Sequence, residues 1–522
     1  MFGYPKHMAS ESTVTSGKEQ SLWLATYEQP AFSSLTTNTI ADVCVIGAGL
    51  AGLSTAYQLA GEGLSVVVLE DGFVASGETG RTTAHLANAI DDRYTEIERI
   101  HGKEGARLAA SSHTAAIDRI EDIIQVERIE CDFRRVDGYL ILSPEHEVKL
   151  LSDERNSARE AGLTTVELLD RCPLLTNILR PCLRFPRQAQ FHVLQYLSGL
   201  AQAFIKRGGH IYTQTHAVEV RGGHHPSVRT VAGLKVDAHC IVVATNSPIN
   251  DLLTMHTKQA PYRTYVIGTR VPKESVPQAL YWDTSDPYHY VRVQSLSARE
   301  DVLIIGGEDH KTGQADGTDR YAKLLEWGRK WFPEAKTTDY QWSGQVMESI
   351  DGLGFIGRNP GEDSVYIVTG DSGMGMTHGT IASILLSDLV CGRENPWTQL
   401  YDPARLSLWA APEFARENMN VASQYMKWIK PGEVESLDDI APSQGAILNK
   451  GTSKLAVYRD NNGKAHIRSA ICPHLRCIVG WNGTEHTWDC PCHGSRFDCY
   501  GKVINGPAND DLAKEETSPK SF

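Results

Sequence analysis

The stretch that most constrains the fold runs from Ala41 to Glu70. Ala41-Asp-Val-Cys-Val-Ile46 is a short run rich in β-branched residues, Gly47-Ala-Gly49-Leu-Ala-Gly52 leads into a helical pattern through Leu59, and Leu64-Ser-Val-Val-Val-Leu69 ends on Glu70. Strand, glycine turn, helix, second strand and terminal acid form the complete dinucleotide-binding βαβ unit. Gly47, Gly49 and Gly52 let backbone approach a pyrophosphate, the helix N-terminus attracts its charge, and Glu70 can accept hydrogen bonds from ribose hydroxyls. A doubly wound α/β domain is therefore expected near the N-terminus.

A second constraint lies near the other end. Cys472-Pro-His474 and Cys490-Pro-Cys-His493 form two Cys–His pairs, with fifteen residues between His474 and Cys490. A [2Fe-2S] cluster held by two thiolates on one iron and two imidazoles on the other needs two such pairs, each on one loop. A zinc site of two Cys and two His uses the same ligand types but usually pairs Cys with Cys and His with His along the chain. The ligand order points to a Rieske-type cluster on Cys472, His474, Cys490 and His493.

This segment resembles the Rieske protein of the cytochrome bc complexes. In that family two further cysteines, matching Cys477 and Cys492 here, form a disulfide between the cluster loops; the resemblance implies the same bridge. Trp488-Asp-Cys490-Pro-Cys492-His493-Gly-Ser495 is similar to the family's second loop, and Gly506-Pro507-Ala508 to the proline loop that covers the cluster. Arg476 stands where many relatives have glycine, and Phe497 where high-potential relatives have a tyrosine. Ser495 can still donate a hydrogen bond to the cluster but Phe497 cannot replace the tyrosine's, and because such bonds and solvent exposure set the potential, a value below that of the respiratory proteins is expected.

Downstream text identifies the dinucleotide. Ala75-Ser-Gly77-Glu-Thr79-Gly80-Arg81-Thr82-Thr83-Ala84-His85 resembles the second flavin-contact segment of the D-amino-acid oxidase and glycine oxidase family. Val365-Tyr-Ile-Val-Thr-Gly370, followed by Asp371 to Gly379, resembles its C-terminal flavin motif. The resemblance implies FAD, with Arg81, Thr82, Thr83, Gly373, Gly375, Met376 and Thr377 among its contacts, Val218 near the adenine, and Ala244 on the strand that closes the domain. A helix N-terminus at the flavin stabilises negative charge on its reduced form.

The expected fold class is α/β: a Rossmann-like FAD-binding domain interleaved with an α+β substrate domain, followed by a small all-β Rieske domain. The polar stretch 1–36 reads as a flexible arm, 37–395 as the oxidoreductase domain, 396–429 as a connector, 430–515 as the Rieske domain and 516–522 as a tail. FAD-binding parts are placed at about 37–98, 183–255 and 343–395, and substrate-domain parts at about 99–182 and 256–342. Tyr288-His-Tyr290-Val-Arg292 alternates aromatic and basic residues on a predicted strand, so Arg292 is a candidate for a substrate carboxylate and Tyr288 or Tyr290 for the pocket wall, against the competing reading of an ordinary half-exposed strand. His85 is a candidate for a flavin or substrate contact, with a structural histidine as the alternative.

The formal charge of −13 disfavours a nucleic-acid partner. No apolar stretch reaches the roughly 20 residues of a membrane span, and no signal core is seen, so a cytoplasmic location is expected. Five of the eleven cysteines cluster between Cys472 and Cys499, which is metal usage and not stapling. Together the halves imply an FAD- and [2Fe-2S]-dependent oxidoreductase that oxidises a C–N bond of an amine or amino-acid-like molecule and exports electrons singly, the acceptor being a protein, a quinone or oxygen. An oxygen-dependent oxidase with a structural or redox-sensing Rieske domain, and a non-enzymatic electron carrier, are the alternatives.

Overall fold

The computed structural model describes residues 19–173, 180–250, 255–314, 317–406, 408–428, 431–451 and 453–515. Its first sheet is built on strand Thr39–Ile46, which pairs in parallel with Val66–Leu69 on one side and Lys235–Val243 on the other. All four residues of Val66–Leu69 are buried, as an uninterrupted apolar run in a parallel sheet requires. The order continues outward to His210–Tyr212 on one edge and to Val365–Thr369 and Phe355–Arg358 on the other. Helix Leu50–Gly61 covers one face and packs on helix Gly375–Val390, where a Cβ on Gly379 would already stand 3.2 Å from the Ala51 amide.

A second, nine-stranded sheet stands over the first. Its order is Tyr340–Ser349, Gln259–Pro272, Glu300–Lys311, His289–Ser295, Leu280–Asp283, Arg134–Ile141, Cys182–Gln190 and His85–Leu86, with Glu167–Leu169 paired to Cys182–Gln190. Strands Cys182–Gln190 and Tyr340–Ser349 thus belong to this sheet, although the sequence places most of each with the FAD-binding parts. Both are runs of mixed polar and apolar residues with no local mark of one sheet over the other, and only their pairing partners decide it.

The expected arm is corrected as well. Residues 1–18 lie outside the described ones, but Leu22–Thr26 is a helix with Leu22 and Trp23 buried. Trp23 Nε1 donates to Thr82 O at 2.6 Å and Ser21 Oγ to Gly80 O at 2.5 Å. The segment is thereby fastened to residues 80–82, a use that its polar composition hides.

The C-terminal unit has a three-stranded sheet, Gln444–Lys450, Ser453–Arg459 and Ala465–Ser469, and a four-stranded one, Gly480–Asn482, Thr487–Asp489, Arg496–Asp498 and Val503–Asn505. The connector carries helix Ala411–Tyr425. It straps the units together: Glu417 pairs with Lys311, Gln314 Nε2 donates to Asn420 Oδ1 at 2.9 Å, and Tyr425 Oη donates to Leu475 O at 2.8 Å. The tail 516–522 lies outside the described residues.

Candidate functional site

A cavity of about 1090 Å³ runs between the two large sheets and reaches the C-terminal unit. Gly47 and Gly49 form its floor. Gly47 has φ of +102°, and a Cβ there would lie 2.5 Å from Ala244 O, so bare backbone is needed at that turn. Gly52 does not line the cavity; a Cβ on it would meet Gly47 O at 2.0 Å, so it lets the helix close on the turn. Glu70 is held at its strand end by the amides of Ala48 (2.7 Å) and Gly72 (2.9 Å) and by the Ser76 hydroxyl (3.1 Å), and lines the cavity. This glycine cradle with its terminal acid fits a dinucleotide.

Arg81, Thr82 and Thr83 line the same cavity. Their backbone is fixed by two indoles, Trp342 Nε1 donating to Arg81 O at 2.7 Å and Trp23 to Thr82 O, while Arg81 itself donates to Ser343 O at 2.9 Å. Gly373, Gly375 and Met376 bring the start of helix Gly375–Val390 to the cavity. Thr377 faces away: its hydroxyl meets His113 Nδ1 at 2.7 Å and donates to Met374 O at 3.2 Å. His378 Nδ1 donates to Asp371 O at 2.9 Å and its Nε2 accepts from Gly354 N at 3.2 Å; burial pushes its pKa down to about 4, so it braces the loop as a neutral ring. Ala244 lines the cavity, whereas on the strand Ala217–Arg221 it is Ala217 and not Val218 that does. A one-residue offset reverses the face on a strand.

The three candidates for the reacting end separate. Tyr288 lines the cavity beside Tyr290, its hydroxyl donating to Asp91 Oδ2 at 3.3 Å; Tyr290 Oη and Thr264 Oγ1 share a hydrogen bond of 2.7 Å. His85 also lines it, 3.0 Å from Thr83 Oγ1 and edge-on to Tyr290; burial, aided by Arg292, pushes its pKa down to about 3, so the ring is neutral. Arg292 is not at the cavity, which corrects the expectation of a carboxylate clamp. It is fully buried, gives Nη1 to the carbonyls of Thr83, Ala84 and Phe191 at 2.9–3.1 Å, gives Nη2 to Gln294, and lies over Trp23.

In place of a guanidinium, this end of the cavity presents carboxylates that the sequence reading passed over. Asp91 and Asp371 both line it. Burial raises each to about 7, reinforced by Asp92 for the first and Glu78 for the second. The Asp91-Asp92 pair after an apolar run is the signal that could have found the first.

In the C-terminal unit two turns bring the Cys–His pairs face to face. Cys472 N donates to Cys477 O at 2.9 Å and Cys490 N to Ser495 O at 2.8 Å, closing each loop. Cys477 and Cys492 are joined by a disulfide. The sulfurs of Cys477, Cys490 and Cys492 lie within 4.8 Å of one another, but two of them form that bridge, so the trio is no single-ion site. Cys472 and Cys490 are buried, with 0% and 1% exposure, and Nδ1 of both His474 and His493 is buried without a hydrogen-bond partner. Burial pushes His474 down to about 4 and His493 to about 3, with His256 contributing to both, which leaves neutral imidazoles. The Cys490 thiol, the amides of His474 and Leu475 and the Ser495 hydroxyl hold Cys472 below its ordinary pKa. Two thiol groups and two orphaned imidazole nitrogens, on loops tied by a disulfide, fit the ligand set of a Rieske cluster.

The two sites meet. A Cβ at Gly494, next to His493, would lie 2.7 Å from Pro261 Cβ and 2.8 Å from Gln345 Nε2, and Gln345 lines the cavity. Asn505 Nδ2 donates to Glu78 Oε1 at 2.8 Å, and Lys502, Val503, Asn505 and Gly506 complete the cavity wall. Behind this seam Glu485 is buried against Tyr321 Oη (3.0 Å) and Ser343 Oγ (2.5 Å), with Arg263 at 3.7 Å and Arg496 at 3.8 Å. Burial raises the pKa of Glu485, but Arg263, Arg496 and Arg81 outweigh it and hold the carboxylate below its usual range. Nothing in local sequence marks Glu485, because apart from Arg496 its partners Ser343, Tyr321, Arg263 and Arg81 lie far off along the chain.

The profile of the FAD-dependent oxidoreductase family matches residues 42–389 and that of the Rieske [2Fe-2S] domain residues 427–516. The protein YhfW of Bacillus subtilis, described as a Rieske 2Fe-2S iron-sulfur protein, is 32% identical over 510 residues, covering 96% of this chain and 97% of that one. Gamma-glutamylputrescine oxidoreductase of Escherichia coli is 27% identical over 374 residues, 69% of this chain and 86% of its own length. Glycine oxidase from Geobacillus kaustophilus superposes with a TM-score of 0.60 at 18% identity, covering 71% of this chain and all of its own, a likeness of fold.

Proposed function

From the chain's membership of the FAD-dependent oxidoreductase (DAO) family, with a C-terminal Rieske domain, we propose that it oxidises a C–N bond of a small amine and passes the electrons through its own cluster to an acceptor. FAD supplies a hydride acceptor for a C–H beside nitrogen, and a [2Fe-2S] cluster takes electrons one at a time. The backbone of Gly47, Gly49 and Thr82–Thr83 would hold the dinucleotide, Glu70 its ribose, and Gly373 to Met376 the flavin end. Cys472, His474, Cys490 and His493 would ligate the cluster, with Cys477–Cys492 tying the loops. At the reacting end Asp91 attracts a protonated amine and Tyr288 orients it, while Trp282 and Tyr290 exclude water. Carboxylates at this wall, with Arg292 sequestered, favour a cation over an amino-acid carboxylate.

The observation that carries the relay is the seat of Gly494 on Gln345: one side chain separates the loop bearing His493 from the flavin cavity. Anaerobic titration with candidate amines, following flavin and cluster absorbance together, tests it. Both chromophores should bleach in sequence. Flavin bleaching that leaves the cluster oxidised, with normal turnover in Cys490→Ser, would sink the relay.

A further inference from the structure

His256 lines neither the flavin cavity nor the Cys–His loops, yet it is buried, 3% exposed, at the seam between them. Its ring centroid lies 4.8 Å from that of His474 at an interplanar angle of 70°, and 5.1 Å from that of His493 at 57°. The rings of His474 and His493 stand 5.1 Å apart at 87°. Three imidazoles therefore form a triangle, two from the C-terminal unit and one from the segment that leads into strand Gln259–Pro272 of the second sheet. Three residues beyond His256, Gln259 opens strand Gln259–Pro272, and its Oε1 accepts a hydrogen bond from Thr369 Oγ1 at 2.9 Å. Thr369 lines the flavin cavity. A run of four residues and one hydrogen bond thus joins the cavity wall to the edge of both cluster histidines.

We propose that His256 is a positioning residue for the cluster: it fixes the ring orientation of His474 and His493 from the flavin-binding side and forms the contact through which the cluster unit is coupled to the flavin. The second half of this rests on the relay proposed above; the first does not. A ligating imidazole can turn about its Cβ–Cγ bond unless its outer edge is packed, and groups around the ligands tune the potential through orientation and exclusion of water. One side chain that touches both rings constrains both together.

The test uses full-length protein carrying both cofactors: wild type, His256→Phe and His256→Gln. Redox titration followed by EPR gives the potential and g values of the cluster without any substrate. Anaerobic stopped-flow after photoreduction of the flavin gives the rate at which the cluster follows. His256→Phe is expected to shift the potential and the g values and to slow cluster reduction about tenfold or more, the size seen when partners of metal ligands are removed; His256→Gln should fall between. Wild-type potential, g values and rate in His256→Phe would overturn the proposal and leave His256 as packing. Loss of the cluster from His256→Phe with retention in His256→Gln supports it, whereas loss from both counts against a specific role. If the wild-type cluster does not follow the flavin but His256→Phe still shifts potential and g values, the relay falls and the positioning role stands.

Discussion

Arg476 has φ of +62°, a left-handed conformation in which its Cβ is crowded, and Trp428 Nε1 donates to its carbonyl at 3.1 Å. Arg476→Gly is expected to stabilise the C-terminal unit by about 1 kcal/mol, read as a rise in the denaturation midpoint of the cluster-loaded protein. Asp91 offers a test of the amine. A neutral side chain loses the charge-assisted contact, so Asp91→Asn should raise KM for a cationic amine about tenfold or more, with a smaller change in kcat. Because burial raises Asp91 to about 7, its attraction for a cation is present above that pH and lost as pH falls through it. KM should therefore climb below about pH 7 in wild type and stay level there in Asp91→Asn. Residues of this kind divide by how local their signal is. Cys472, His474, Cys490 and His493 are legible because ligand spacing on a loop is a short-range property. Arg292 shares a face with Tyr290, as alternation dictates, but that face runs on beneath residues 83–84 and out of the cavity, which spacing alone does not reveal.

Among the elements, the decisive ones pin the two units together. Gly313, at the end of strand Glu300–Lys311, has φ of +71°, and a Cβ there would stand 2.6 Å from Pro491 N and 2.7 Å from Asp489 O. It neither supplies a cluster ligand nor lines the flavin cavity, but it abuts the backbone on both sides of Cys490. Gly313→Val should weaken the seat of the cluster loop by about 1–3 kcal/mol, as overpacking does. Cluster reduction by flavin should slow; an unchanged rate would mean that this seat does not govern transfer. The βαβ unit at 41–70 is legible because its β-branched runs, glycine turn and terminal acid are written within a few positions of one another. The helix Leu22–Thr26 is not, since only its burial against residues 80–82 makes it more than a polar leader.

For the whole molecule, one cavity is walled by the first sheet, the second sheet and the Rieske unit, so whatever fills it couples all three. Flavin-stripped protein should be less stable than loaded protein by about 2.7 kcal/mol when FAD is present at a hundred times its dissociation constant, and its melting midpoint should become FAD-dependent. A midpoint indifferent to FAD would mean that the folded chain does not bind it. Among the described residues no helix is long and apolar enough to cross a membrane. The sequence by itself determined the two cofactors and the order of the units, because each is encoded by a motif whose residues act within one loop or one βαβ turn. Only the tertiary structure decided which strands belong to which sheet, that Asp91 and Asp371 and not Arg292 line the cavity, and that His256 packs on His474 and His493 while Gln345 meets the loop bearing His493. Those features arise where segments hundreds of positions apart are brought into contact by burial of their apolar faces, and burial is a property of the assembled chain.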